Sequence, residues 1–258
     1  MIGEIFKYRD LLIMLVKRDI RVRYKQAAMG FLWALFMPIV AVAAGILIKK
    51  AMAVVSGQPM ELEGIVSLLV KVLPWTFFIS AIKFSVQSLV GNSNLITKIY
   101  FPREVLPLAS ILACLFDFAI ALVVLTVLLI IVKVGVSVQL LWLPVIFLFL
   151  LMFTAGLGFL LSAANLFFRD VKYLVEIILM FGIFFTPVFY QASSFGEWSI
   201  FLMLNPVGSI LESINNVVVL KIAPDMFWFA YAGITSVLMF VLGITVFHHK
   251  EPLFAENV

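Results

Sequence analysis

Residues 105–132 read VLPLASILACLFDFAIALVVLTVLLIIV, in which Asp117 is the only charge and no other polar group is larger than Ser or Thr. At 1.5 Å per residue such a helix is about 42 Å long, more than the roughly 30 Å hydrocarbon layer of a bilayer. A helix of a soluble core is shorter and keeps one polar face, whereas a run apolar on every side needs lipid as its solvent. This segment decides the fold class: an all-α integral membrane protein.

Outward from it lie further runs of the same kind. Residues 31–48, 140–168 and 226–247 contain no charge, 72–90 is interrupted by Lys83, and 174–190 carries Glu176 near its start. The expectation is six spanning helices within 28–258, preceded by a cytoplasmic amphipathic helix in 1–27. Composition agrees, with 64% hydrophobic and 12% charged residues over 258 positions. A soluble fold of that length could not cover so much apolar surface. The lone Cys114 excludes an intrachain disulfide.

Charge placement orients the chain. With the N-terminus inside, twelve basic residues are cytoplasmic: Lys7, Arg9, Lys17, Arg18, Arg21, Arg23, Lys25, Lys98, Arg103, Arg169, Lys172 and Lys250. Four are outside: Lys49, Lys50, Lys133 and Lys221. Both termini are therefore expected in the cytoplasm. The N-terminal segment lacks the early apolar core of a signal peptide. Its Ile5, Tyr8, Leu12, Leu15 and Ile20 recur near helical spacing, which suits a helix in the headgroup layer; a merely basic anchor is the plainer alternative.

Between the fifth and sixth spans, 195–204 is apolar but too short to cross a bilayer. Asn205-Pro206 then imposes a turn, and 207–221 has helical potential with Ser209, Glu212, Ser213 and Asn216 as a polar stripe. A re-entrant hairpin over 194–221, bordering a cavity, satisfies both patterns. An outer loop with one surface helix is the alternative.

Ionisable groups inside a bilayer cost several kcal/mol unless paired or hydrated. Lys83 and Asp117 lie on consecutive spans, so a structural Lys83–Asp117 pair is expected, with proton relay or ion coupling as the functional alternative. Ala155, Gly158 and Ser162 form a small-residue stripe that permits close helix packing. Trp75, Phe77, Phe78 and Tyr190 sit where an aromatic belt belongs, with stacking on sugar rings as the other use. His248 and His249 end the last span as interfacial residues rather than ligands. The chain contains no G-x-x-x-x-G-K-[ST] loop, no H-E-x-x-H and no Cys/His cluster at metal spacing. No metal, cofactor or catalytic set is expected in it.

Several blocks carry a family likeness. RDIRVRYKQ at 18–26 precedes GFLWAL at 30–35 and Pro38; SLVGN at 88–92 and IYFPREVLP at 99–107 follow. FRDV at 168–171, TPV at 186–188 and LNP at 204–206 complete the series. Together they resemble, in order and over nearly the whole chain, the permease subunits of polysaccharide ABC exporters, with O-antigen permeases the nearest likeness.

That resemblance implies a half-transporter that pairs with a second copy of itself and binds two copies of a separate ATP-binding subunit, which holds the ATP and Mg. The loop 91–104, with Lys98, Tyr100, Phe101, Pro102, Arg103 and Glu104, would couple to that subunit, and the Arg169-Asp170 turn would be a second contact. The 194–221 hairpin would form an outer gate around Asn205, Pro206, Glu212 and Asn216. A lipid-linked polysaccharide would approach from the cytoplasmic leaflet of a bacterial plasma membrane, its pyrophosphate steered by Arg18, Arg21, Arg23 and Lys25. It would advance along a channel at the homodimer interface. Capsule or teichoic-acid chains are alternative cargoes, and no nucleic-acid partner is expected. An ion-driven secondary transporter is the rival reading from another class, and a membrane glycosyltransferase a distant third.

Overall fold

The computed structural model describes residues 7–25 and 62–254, with isolated positions between 32 and 54. The expected first span and the GFLWAL block lie, but for those positions, outside the described residues. Among the described residues, α1 (Arg9–Tyr24) is followed by α2 (Leu62–Gln87), the short α3 (Ser93–Lys98), α4 (Val105–Ile131) and α5 (Leu143–Phe167). Then come α6 (Val171–Gly182), α7 (Ser199–Met203), α8 (Pro206–Asn215) and α9 (Met226–Lys250). Four described helical stretches are long and apolar enough to cross a membrane: Glu63–Gln87, Val105–Ile131, Val138–Phe167 and Met226–Leu253.

α2 is the hub. It packs against α4, α5, α6 and α8, and most of its apolar length is buried in protein. It begins ten residues before the expected start at 72, because Lys71 lies within the helix rather than ending it. α4 is the opposite case: one side meets α1, α2 and α5, and the rest presents Val123, Val127, Ile130 and Ile131 outward, as a lipid-facing helix should.

α5 and α9 make the closest crossing. A Cβ on Gly243 would overlap the Gly156 carbonyl, and one on Gly156 would overlap the Met239 carbonyl, so the two backbones touch there. The small-residue stripe that sequence singles out works on the other side of α5, where a Cβ on Gly158 would come within 2.6 Å of Ser85 Oγ on α2.

Two expectations need correction. The stretch 174–190 is not one helix: α6 ends at Gly182, and turns follow up to the buried Thr186-Pro187-Val188. Proline cannot extend the helix and biases the residue before it away from the α region. Trp75, Phe77 and Phe78 are core residues rather than a belt, with ring centroids 5.3 Å apart between Phe77 and Phe118 and 5.0 Å between Phe118 and Phe147. The alternative of a surface helix after Asn205 does not hold, since Val207 through Asn215 are all buried.

Candidate functional site

One end of the bundle collects every connection that sequence marks for coupling. α2 and α5 end there, α4 and α6 begin there, and the Asn165 side chain stitches them by donating to Val86 O at 3.0 Å and accepting from Lys172 N at 3.2 Å. Arg18 of α1 donates to Asn92 Oδ1 at 2.7 Å, and Asn92 donates in turn to Ser88 O at 2.7 Å. The 91–104 loop is therefore anchored at its start.

Its tip is split. Tyr100 is 92% exposed, beside exposed Lys98 and Ile99, whereas Phe101 is 5% exposed and Glu104 1%. Tyr100 thus faces outward, and Phe101 is a buried anchor. Arg103 turns back to the chain end, its N–H donating to Glu251 Oε1 at 3.2 Å and its guanidinium to Glu251 O. Between these parts lies a cavity of ≈ 510 Å³ lined by Lys7, Tyr8, residues 100–104, His248, Glu251 and Pro252. Phe168, Arg169 and Asp170 form a separate exposed turn at the same end.

α1 lies along this end with two unlike sides. Leu15 is buried, and Tyr8, Leu11, Leu12 and Val16 pack around it against the core. The other side offers Lys17, Arg18, Arg21 and Lys25 around exposed Ile13, Met14 and Val22, in a shallow groove of ≈ 510 Å³. Cations flanked by apolar side chains suit a lipid headgroup region.

Arg23 does not share that basic side. It turns inward to Asp117 of α4 at 2.6 Å, with Phe84 under its guanidinium at 4.1 Å from the ring centroid. Tyr24 donates to the other Asp117 oxygen at 2.8 Å. Burial, and then the adjacent Asp117 carboxylate, push the Tyr24 hydroxyl up from its ordinary value, so it stays a proton donor. The expected Lys83–Asp117 pair is not formed: Asp117 is taken by α1, and Lys83 is exposed, with no ion pair among the described residues. The charge that balances Asp117 comes from α1, whose docking no span-by-span reading foresees.

At the opposite end a second buried charge site holds the hairpin. Asn205 caps α8, accepting from Val207 N at 3.1 Å while its amide donates to Thr186 Oγ1 at 2.8 Å. Pro206 occupies the first turn, where a missing N–H costs nothing. Ser209 Oγ donates to Met203 O at 2.5 Å, and Tyr231 of α9 donates to Leu204 O at 2.8 Å. Glu212 is buried, accepting from Ala192 N at 2.7 Å and lying 3.5 Å from Lys71 Nζ. Lys71 also donates to Tyr190 O at 2.5 Å. Glu212 is therefore a structural anchor within the protomer rather than a residue facing an open passage. Asn216, half-buried, starts the π-helical turn Asn216–Leu220. Sequence reasoning passed over Lys71, though a lysine inside an otherwise apolar stretch is the signal that would have found it.

A family model described as ABC2_membrane, ABC-2 type transporter, matches residues 10–219. The chain is 28% identical over 261 residues to the "O-antigen export system permease protein RfbA" of Myxococcus xanthus, covering 100% of this chain and 99% of that protein. Two proteins of the same description from Klebsiella pneumoniae are 27% and 28% identical over 249 residues, covering 96% of this chain and 94% of each relative.

Proposed function

The chain belongs to the ABC-2 type transporter family, and on that premise we propose that it is the membrane permease of an ATP-driven exporter of lipid-linked, O-antigen-type polysaccharide. The observation that carries the reading is its end-to-end likeness to O-antigen export permeases. The chain is multi-pass, and its proposed topology has six spans with both termini cytoplasmic, supported by the bias of basic residues. The end that bears Tyr100 and the Arg169-Asp170 turn is then the cytoplasmic face.

There the exposed Tyr100 tip and the Phe168–Asp170 turn meet an ABC-type ATP-binding subunit, two copies serving a homodimer of this chain. Anchoring favours rigid transmission: Asn92 ties the start of the loop to Ser88 and to Arg18 of α1, and Arg103 and Glu104 tie its end to Glu251 and His248 at the end of α9, so a push on the tip is passed to both. The basic side of α1 attracts the pyrophosphate of the cargo. α7 and α8 act as a re-entrant outer gate, its turn satisfied by protein hydrogen bonds as a bilayer requires.

The deciding experiment is reconstitution with the candidate ATP-binding subunit. Co-purification, ATPase stimulation by this chain and ATP-dependent export of lipid-linked glycan are expected. Uptake or efflux driven by an ion gradient without that subunit would establish the secondary-transporter reading instead.

A further inference from the structure

We propose that Glu104, His248 and Glu251 form a binding site for a divalent transition cation, zinc being the best match, that clasps the 99–104 segment to the end of α9. One donor atom from each residue lies within 4.8 Å of the other two. They arrive from three places: the residue before α4, the last turn of α9, and the turn Glu251–Leu253 that follows it.

The hydrogen bonding of His248 requires a positive group at this spot. Its Nδ1 lies 3.1 Å from Ile244 O, an oxygen that only accepts, so Nδ1 carries the hydrogen. Nε2 then faces Glu104 Oε1 at 2.7 Å, on a carboxylate that is almost wholly buried. A bare ring nitrogen and a carboxylate repel at that separation, so a proton or a cation must lie between them. Glu251 decides between the two. A bridging proton serves two partners, whereas a second carboxylate with its donor atom within 4.8 Å of both serves a metal ion. Arg103 N–H holds that carboxylate at 3.2 Å, orienting it from outside the donor set.

The donor chemistry fits zinc. One imidazole and two carboxylates make a three-ligand set, with a coordination position left for water on the side open to the cavity. A ligating imidazole ordinarily donates its other N–H to a carbonyl or carboxylate, as Nδ1 does here. Tetrahedral donors around zinc stand roughly 3.3–3.5 Å apart, so Glu104 and His248 would open slightly and Glu251 would close in, all by side-chain rotation. Where the coupling reading holds, the ion stiffens the joint between the 91–104 loop and α9. Metal binding itself does not depend on that reading.

The test uses the full chain without a polyhistidine tag, in lipid nanodiscs and without any ATP-binding subunit, so it is independent of the proposed transport function. Zinc is titrated by calorimetry, and cobalt by its visible absorption. One saturable ion per chain is expected, with a cobalt spectrum of a low-coordinate nitrogen–oxygen site. His248→Asn and Glu251→Gln should each weaken binding about tenfold or more. Glu251→Asp, which keeps a carboxylate, and Glu197→Gln, on an exposed residue elsewhere, should retain it. No saturable binding, or binding undiminished in both His248→Asn and Glu251→Gln, overturns the site and leaves a protonated His248–Glu104 pair.

Discussion

Lys71 and Glu212, 141 residues apart in sequence, meet 3.5 Å from one another in the interior, the lysine side chain 1% and the glutamate 11% exposed. Each also holds backbone of the 190–192 turn: Lys71 donates to Tyr190 O, and Glu212 accepts from Ala192 N. The pair therefore pins three segments at once: α2, α8 and the strap entering α7. Ser209, Glu212 and Ser213 of the α8 polar stripe find partners inside the protein rather than in water.

Removing Lys71 takes away the cation beside the buried Glu212 carboxylate. Lys71→Met should destabilise the chain by about 3 kcal/mol, within the range for an unpartnered buried charge. Lys71→Met with Glu212→Met should recover part of that loss. Thermal unfolding in detergent checks the cycle, and additive losses would show that the two charges do not depend on each other.

Asp117 gives a sharper contrast, because sequence and structure assign it different partners. Asp117→Asn should loosen α1, weakening charge-assisted bonds worth about 1.5–3 kcal/mol each. Trypsin cleavage at Lys17, Arg18 and Arg21 should then accelerate several-fold. Lys83→Ala should leave the cleavage rate unchanged, since Lys83 is exposed and holds no ion pair among the described residues. Acceleration by Lys83→Ala would restore the pair expected from sequence.

The coupling loop predicts two distinct phenotypes from adjacent residues. Tyr100→Ala removes an exposed ring and should leave the unfolding temperature within about a degree, as surface changes do, while lowering stimulation of the ATP-binding subunit. Phe101→Ala empties a buried position and should cost about 3 kcal/mol. Equal losses of stability in both variants would mean that Tyr100 is also packed.

The reasons for these outcomes show what a linear reading can and cannot see. Length and apolarity identified 105–132, 140–168 and 226–247 to within a few residues, because a span is a local property of the chain. The turn at Asn205-Pro206 was equally legible, since a cap followed by proline is local chemistry. Partner choice was not. Asp117 belongs to α1 rather than α2, Lys71 belongs to α8, and His248 meets Glu104 across 144 positions, which no spacing rule encodes. The end of α6 at Gly182 could have been read from Thr186-Pro187, had apolarity not outweighed the proline.

The hairpin tip separates a held gate from a loop. Asn205 does two jobs, capping α8 through its side-chain oxygen and donating to Thr186 Oγ1 through its amide. Asn205→Ala should lose both, at a cap cost of about 1 kcal/mol with the Thr186 bond in addition. Asn205→Asp keeps the cap acceptor and loses only the donor, so its loss should be smaller. Pro206→Ala removes no hydrogen bond and should be the mildest of the three, its effect being a freer turn. A cysteine at Leu204 in a Cys114→Ala background reports on the tip. It should react with a water-soluble maleimide slowly in the parent and Pro206→Ala, and fastest in Asn205→Ala, with glycan export falling in the same order. Equal labelling rates in all four proteins, matching that of a cysteine at Ser137 in the connection before α5, would show that the segment is an ordinary loop.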